Sequence, residues 1–147
     1  MEIEPTPITG ATLLRPTVHG DARGFFLETW RADRYAEAGI EQPFVQDNHS
    51  RSSRGILRGL HFQTTQPQGK LVRVTSGEVF DVIVDCRADS PSCGQWYGMT
   101  LTAEKHEQLW VPPGCAHGFY VFSDTVYTEI FTLSRLDSRV NCLGFRV

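Results

Sequence analysis

From residue 44 onward, the sequence alternates short segments rich in β-branched and aromatic residues with turn-forming residues. The predicted strands cover residues 44–48, 56–62, 70–75, 78–85, 95–102, 108–111 and 118–122. Between the last two strands, Pro112, Pro113 and Gly114 form a rigid corner. Many short strands at this spacing are typical of an antiparallel β-barrel or a jelly roll of two sheets. We therefore predict an all-β domain with little helix.

The residues before position 44 carry two more strand signals and one helix signal. Residues 11–15 and 25–30 are predicted strands, and a turn signal at residues 21–24 precedes the second of them. Residues 32–38 are rich in helix formers and are followed by Gly39, a residue type that commonly ends helices. This helix is the only one that the first half of the sequence predicts.

The dipeptide Ser76-Gly77 separates two predicted strands, and its turn propensity predicts that these strands pair as a hairpin. Side chains alternate between the two faces of a strand. In the second strand this gives an apolar set and a mixed set, which are Phe80, Val82, Val84 and Asp81, Ile83, Asp85. Periodicity alone does not decide which set faces the interior.

The chain has 147 residues, 40% of them hydrophobic and 21% charged, which suits one domain over residues 1–147. Its net charge of −3 provides no overall field to attract nucleic acid or an anionic membrane surface. No apolar run is long enough to cross a bilayer and no signal-peptide pattern opens the sequence, so we expect a cytoplasmic protein. The four cysteines form no C-x-x-C motif, and we expect reduced thiols.

Three basic side chains, Arg58, His61 and Lys70, lie close together in the sequence, and His117 follows the Pro-Pro-Gly corner. Arginine and lysine match phosphate oxygens and neutral imidazole accepts protons, so the combination predicts an anion-binding pocket with a general base. A single histidine in a strand can equally be a hydrogen-bonded structural residue. Strict alternation puts Arg58 and His61 on opposite faces unless a bulge at Gly59 brings them together.

The spacing Pro112-x-Gly114-x-x-His117 resembles the second half-motif of the cupin barrels, in which such a histidine often binds a metal. The first cupin half-motif contains H-x-H, and here Gln63 stands two residues after His61. A metal site needs three or four convergent donors, so we expect no metal and no cofactor. A metal-dependent cupin is the alternative that bound metal would reveal.

Several motifs resemble, in order, the dTDP-4-dehydrorhamnose 3,5-epimerase family over residues 8–124. They are QDNHS at 46–50, LRGLHF at 57–62, QGKLVR at 68–73, GEVFDV at 77–82, QLWVP at 108–112 and GCAHG at 114–118. The resemblance implies a cupin-type antiparallel jelly roll that forms a metal-free homodimer. It also implies an isomerase that inverts C3 and C5, or C3 alone, of a dTDP-4-keto-6-deoxy hexose in the synthesis of dTDP-L-rhamnose or a related deoxysugar.

The resemblance also implies roles for individual residues. His61 matches the catalytic base, and Lys70 matches the lysine that faces the keto oxygen. Arg58 and His117 match residues of the substrate pocket. The nucleotide-sugar contacts, some of which cross from one subunit to the other, match Arg23, Phe26, Glu28, Gln46, Asp47 and Asn48.

The sequence departs from the family pattern after Asp124. Without a gap, Ile130 stands at the position of the family's proton-donating tyrosine, and Tyr127 reaches the same face only with a local gap or bulge. Nothing up to Val147 matches the family's aspartate that partners the catalytic histidine. Two hypotheses follow: an active epimerase, or a catalytically impaired or non-catalytic relative that binds the sugar nucleotide. Exchange of the C3 and C5 protons with deuterium distinguishes them.

Overall fold

The structure, a computed structural model, describes residues 1–135 and the backbone of residues 141–142. These residues form thirteen strands and one five-residue helix. In chain order the elements are β1 (Glu2–Pro5), β2 (Thr12–Arg15), β3 (Val18–Asp21), β4 (Gly24–Leu27), α1 (Ala32–Ala36), β5 (Gln46–Ser53), β6 (Leu57–Phe62), β7 (Lys70–Ser76), β8 (Glu78–Asp85), β9 (Trp96–Thr102), β10 (Gln108–Val111), β11 (Cys115–Val121), β12 (Thr125–Thr132) and β13 (Asn141–Cys142).

The strands form two main antiparallel sheets and a separate hairpin. One sheet has six strands in the order β1-β2-β10-β7-β12-β5, and the other has five in the order β13-β6-β11-β8-β9. Strands β3 and β4 pair with each other as a two-stranded hairpin. The architecture confirms the predicted all-β fold with antiparallel sheets and little helix.

The main core lies between the two sheets. Inward-facing side chains from both sheets are buried together there, among them Leu13, Val72, Leu109, Ile83 and Phe119. Each strand presents alternate residues to the space between the sheets. A cavity in this space is therefore lined by side chains from both sheets.

A second core covers the outer face of the six-stranded sheet. Leu14, Leu71 and Trp110 point away from the main core and pack under α1 against Tyr35 and Ile40. This explains why β10 has no exposed residue, since both of its faces are covered. In the part of the chain that the structure describes, no helix is long and apolar enough to cross a membrane.

Element boundaries differ from the predictions at several places. The predicted helix 32–38 ends at Ala36, and Gly39 follows in the left-handed region with φ +81°. The strand predicted at residues 25–30 ends at Leu27, whereas the strand predicted at 44–48 extends to Ser53 as β5. Strands β1, β3 and β12 were not predicted, because two are only four residues long and β12 mixes polar and apolar residues on both faces.

The predicted hairpin between β7 and β8 is wrong. Strand β7 lies in the six-stranded sheet with β10 and β12 as its neighbours, whereas β8 lies in the five-stranded sheet between β11 and β9. Gly77 turns the chain with φ +83°, and a Cβ at this position would lie 2.5 Å from the carbonyl oxygen of Thr125. The turn therefore carries the chain from one sheet to the other and does not return it beside β7.

The structure decides which face of β8 is interior. Asp81, Ile83 and Asp85 are buried, and Phe80 and Val82 line the outer face of the five-stranded sheet. Two carboxylates are tolerated inside because each has partners, as buried charges require. Asp85 accepts hydrogen bonds from Arg87, Ser90 and Ser92, and these contacts hold the pKa of its carboxyl well below the usual value.

A bulge in β6 places Arg58 and His61 on the same side of the sheet. Phe119 and His117, two residues apart on β11, pair with Arg58 and His61, which are three residues apart on β6. The extra residue lies at Gly59, whose φ is +127° and whose added Cβ would meet the Cα of Gly118 at 2.5 Å. The sequence left open whether such a bulge exists; the structure contains it at Gly59, and only glycine fits it.

Candidate active site

A cavity of about 420 Å³ opens between the two sheets and collects most of the basic residues that the sequence singled out. Polar and apolar residues from both sheets line it. The lining residues are Asn48, Ser50, Arg58, His61, Phe62, Gln63, Gln68, Lys70, His117, Phe119, Ile130 and Thr132. The cavity thus contains Arg58, His61, Lys70 and His117, as the sequence analysis expected of a single pocket.

Two histidines stand side by side on the five-stranded wall. His61 on β6 is the register partner of His117 on β11. The Nε2 of His117 lies 2.9 Å from both carboxylate oxygens of Asp81, and both side chains are buried. This contact fixes the imidazole of His117, whereas the imidazole of His61 forms no hydrogen bond with any side chain or backbone group of residues 1–135.

The surroundings of His61 favour its neutral form. Burial and the neighbouring charges of Lys70, His117 and Arg58 lower the pKa of this imidazole below its ordinary value of 6.5. A neutral imidazole at neutral pH has a lone pair that can accept a proton. His61 therefore has the protonation state and the open nitrogens that a general base needs.

Lys70 reaches the same cavity from the six-stranded sheet. Its side chain is buried, and its Nζ donates a hydrogen bond to the carbonyl oxygen of His61 at 3.3 Å. Burial lowers the pKa of this ammonium to about 8, so most of it stays protonated at neutral pH. A cation with two further N–H groups thus lies near His61, which belongs to the opposite sheet.

Polar side chains from β5 complete the cavity. Asn48 and Ser50 point inward, and Gln46, on the same face of β5, donates to Asn48 Oδ1 at 2.7 Å. The guanidinium of Arg58 is held against this strand by a 2.8 Å hydrogen bond to Ser52 Oγ. The cavity therefore offers one guanidinium, one ammonium and amide groups to an anionic, oxygen-rich ligand.

Five of the predicted contact residues do not line this cavity, and Gln46, which bonds to Asn48, is one of them. Arg23 pairs with Asp21 at the tip of the β3–β4 hairpin, and 73% of Phe26 is exposed on β4. Glu28 pairs with Arg31 and Arg34, and Asp47 is exposed on the opposite face of β5 from Asn48. The ligand contacts assigned to Arg23, Phe26, Glu28 and Asp47 stay predictions.

Ile130 lines the cavity, and Tyr127 does not. The ring of Tyr127 stacks on His49 at a centroid distance of 5.6 Å, on the face of the six-stranded sheet that points away from the cavity. The register does shift between Tyr127 and Thr128, but this irregularity leaves the phenol outside. Within residues 1–135, no tyrosine lines the cavity.

Asp81 and Ser52 hold site residues in place, and sequence reasoning missed both. Asp81 could have been identified from the sequence, because an acidic residue that alternates with apolar residues in a strand needs a partner if its face is buried. Ser52 had none, because serine is common in exposed strands and its partner Arg58 lies in the opposite sheet.

Gln63 occupies the position where a cupin would carry its second histidine. Its side chain is buried, and its Nε2 donates to the carbonyl oxygens of Gln66 and Arg135. Among the residues that the structure describes, no three His, Cys, Asp or Glu side chains converge as metal ligands. The donor set of the cavity therefore suits an anionic ligand better than a metal ion.

Comparison with known proteins agrees with this geometry. The profile of the family dTDP-4-dehydrorhamnose 3,5-epimerase matches residues 5–135, so the similarity continues past Asp124, where the motif resemblance ended. A dTDP-4-dehydrorhamnose 3,5-epimerase of Neisseria gonorrhoeae is 54% identical over 124 residues, and one of Pseudomonas aeruginosa is 57% identical over 118 residues. These matches cover 84% and 80% of this chain but 38% and 65% of the two relatives, so the chain spans less than two thirds of either.

A solved structure is similar over most of the chain. The dTDP-6-deoxy-D-glucose-3,5-epimerase of Legionella pneumophila, crystallised in complex with dTDP-4-keto-L-rhamnose, superposes with a TM-score of 0.90 at 49% identity. The match covers 92% of this chain and 73% of that one. The fold is thus shared with an enzyme whose crystal contains a nucleotide sugar.

Proposed function

Because the chain belongs to the dTDP-4-dehydrorhamnose 3,5-epimerase family, we propose that it inverts C3 and C5 of a dTDP-linked 4-keto-6-deoxy hexose. The product serves the synthesis of dTDP-L-rhamnose or a related deoxysugar. One observation carries the proposal: the neutral imidazole of His61 and the buried ammonium of Lys70 face the same cavity, and the ammonium donates a 3.3 Å hydrogen bond to the backbone carbonyl oxygen of His61.

The chemistry follows from the C4 ketone, which acidifies the protons on C3 and C5. His61 removes one of these protons, and the negative charge moves onto the ketone oxygen. Lys70 stabilises this enolate oxygen as a hydrogen-bonding cation in a partly desolvated cavity. Return of a proton to the opposite face of the carbon inverts the centre, and no net oxidation or reduction occurs.

The nucleotide diphosphate lies toward Arg58 in this proposal. The guanidinium has N–H groups that are not used by β5, and phosphate oxygens are the acceptors that such a planar fork binds best. Further hydrogen-bonding groups lie on the inner faces of the two sheets and come from Asn48, Gln46 and His117. The apolar lining residues Phe62, Phe119 and Ile130 suit the 6-methyl group of a deoxysugar.

A homodimer is part of the proposal. The outer face of the five-stranded sheet has an apolar groove of about 440 Å³, and it includes Leu57, Phe80, Trp96 and Tyr120. Such an exposed apolar face is typical of a protein interface, and a second copy offers the same face by two-fold symmetry. The exposed β3–β4 hairpin then extends toward the partner's cavity, where Arg23, Phe26 and Glu28 contact the nucleotide.

The proposed reaction uses no metal, because Gln63 takes the place of a ligand and its amide N–H groups already bind backbone carbonyls. We place the protein in the cytoplasm, since Cys86 and Cys93 are free and exposed, as thiols are in a reducing compartment. Elemental analysis of the purified dimer and fractionation of cells test these two points. Stoichiometric zinc, iron or manganese together with loss of activity in chelator would overturn the first.

Deuterium wash-in tests the proposed function. The protein is incubated in D₂O with dTDP-4-keto-6-deoxyglucose, and deuterium at C3 and C5 is measured by NMR. Deuterium at both carbons shows proton removal at both centres, and deuterium at C3 alone shows removal at C3 only. The configuration of the product then distinguishes epimerisation from exchange without inversion. Tight binding of the nucleotide sugar without any exchange would support the non-catalytic alternative, to which the aliphatic side chain of Ile130 in the cavity lends weight.

A further inference from the structure

Arg58 lies between two cavities. The residue lines the polar cavity between the sheets and also the apolar groove on the outer face of the five-stranded sheet. An exposed arginine side chain has several rotamers of similar energy, and ordering it costs conformational entropy. Something in the structure must therefore direct the guanidinium toward the ligand side of the sheet.

Ser52 is the group in contact with Arg58 on that side. It sits on the inward face of β5, with only 5% of its surface exposed, and its Oγ accepts a hydrogen bond from Arg58 Nε at 2.8 Å. The adjacent carbonyl oxygen of Arg51 accepts a second hydrogen bond, from Arg58 Nη2 at 3.3 Å. Two bonds from different nitrogens fix the plane of the guanidinium, whereas one bond would leave it free to rotate.

The two contacts leave part of the guanidinium available. Of its five N–H groups, Nε–H and one Nη2–H are used by β5, and three remain to bind a ligand. The bonds also cross from the five-stranded sheet to the six-stranded sheet, since Arg58 belongs to β6 and Ser52 to β5. The orientation of Arg58 is thus set by the opposite sheet and not by its own strand.

We propose that Ser52 is a positioning residue, which presents the guanidinium of Arg58 to the diphosphate of the bound nucleotide sugar. The inference rests on the proposed function, because it takes dTDP as the ligand. Ser52 does not contact the reacting carbons, so it acts on binding and leaves the proton transfer unchanged. Preorganisation of this kind strengthens binding by removing an entropy cost that the complex would otherwise carry.

The test is a double-mutant cycle with dTDP binding measured by calorimetry. Ser52→Ala is expected to raise the Kd of dTDP by about 3–10-fold, less than loss of a whole charged hydrogen-bonding partner. Ser52→Thr keeps the hydroxyl and is expected to bind as the parent does. In the Arg58→Ala background, Ser52→Ala is expected to have no further effect, since a residue that acts through Arg58 has nothing left to position.

Kinetics and a control variant separate positioning from a general structural effect. Ser52→Ala is expected to raise KM for the 4-keto sugar by a similar factor while kcat for exchange stays within about twofold of the parent. Ser53→Ala removes a hydroxyl from the outward face of the same strand and is expected to change neither value. Equal losses of binding for Ser52→Ala in the parent and in Arg58→Ala would overturn the proposal, as would unchanged binding in Ser52→Ala.

A second measurement needs no ligand. In the free protein, the Arg58 Nε–H signal in a ¹⁵N NMR spectrum is expected to exchange slowly with water and to lose this protection in Ser52→Ala but not in Ser53→Ala. Protection that persists in Ser52→Ala would contradict the positioning role. If dTDP fails to bind the parent, the proposed function and the ligand of Arg58 are wrong, while the NMR result still decides whether Ser52 orients the arginine.

Discussion

The ammonium of Lys70 donates a hydrogen bond to the backbone carbonyl of His61 at 3.3 Å, so the proposed cation and the proposed base are linked across the two sheets. Lys70 must be protonated to stabilise an enolate, and His61 must be neutral to accept a proton. The reaction therefore needs one group charged and its neighbour uncharged, and the cavity lowers the pKa of both groups.

This pair predicts a bell-shaped pH profile for kcat/KM of deuterium exchange. The rate rises with pH as His61 loses its proton, and this limb lies below the ordinary imidazole pKa of 6.5 because the pKa of His61 is lowered. The rate falls again near pH 8, where Lys70 loses its proton. An alkaline limb near pH 10, the range of an unperturbed lysine, would contradict the assignment of Lys70.

Replacement of His61 tests the base directly. His61→Asn is expected to lower deuterium exchange at C3 and C5 by a factor of about 10²–10⁴, the usual contribution of a general base. Binding of dTDP should stay within a few-fold of the parent, since the nucleotide lies toward Arg58. His106→Asn, which changes a histidine whose ring contacts Phe25 at a tilted angle outside the cavity, should leave exchange unchanged. Equal exchange in His61→Asn and the parent would remove the base assignment.

The bulge at Gly59 predicts a strong effect of a single methyl group. Gly59→Ala places a Cβ 2.5 Å from the Cα of Gly118 and forces an L residue into φ +127°. Strain and overpacking together are expected to lower the free energy of unfolding by on the order of 1–3 kcal/mol. Urea denaturation measures this loss. Gly20→Ala is the matched control, because it has no positive φ and its nearest neighbour would be 3.8 Å away.

The buried pair of Asp81 and His117 predicts a loss of stability and of order in the site. Asp81→Asn replaces two acceptor oxygens with one, and the free energy of unfolding is expected to fall by about 1–3 kcal/mol. Urea denaturation at pH 7 measures the change. Asp124→Asn alters a carboxylate that is 92% exposed and paired with Arg54, so it should change stability little. Comparable losses of unfolding free energy in the two variants would show that the contact between Asp81 and His117 stabilises the fold no more than an exposed ion pair does.

The sequence was informative where the determinants are local. The turn-rich spacing and the cluster of Arg58, His61 and Lys70 each predicted a feature that the structure contains, and Gly59 marked the place where a bulge was possible. The partners of Asp81 and Arg58 could not be predicted in this way. His117 is 36 residues from Asp81, so their contact depends on the pairing of two distant strands, β8 and β11. Ser52 lies in a different sheet from Arg58, so that contact depends on how the two sheets face each other.

The predicted hairpin between β7 and β8 is wrong because strand pairing also depends on segments that are distant in the sequence. The turn propensity of Ser76-Gly77 specifies a change of direction but not the strand that receives the chain afterwards. Pairing of β7 is instead decided by two neighbours that lie later in the sequence, β10 and β12. Likewise, the position of Tyr127 outside the cavity follows from the register of β12 against β5, which pairs Tyr127 with Arg51.

That crossing at Gly77 has a consequence for how the molecule is made. As the chain leaves the ribosome, β7 emerges long before its two neighbours in the sheet, β10 and β12. The central strands of the six-stranded sheet therefore cannot pair until β10 and then β12 have been synthesised. Sheets built from distant segments form slowly and leave unpaired strand edges exposed in the meantime. We therefore expect a nascent chain stalled before Thr125 to bind chaperones and to be cut by protease, and compaction to occur late, when β12 joins β5 and β7.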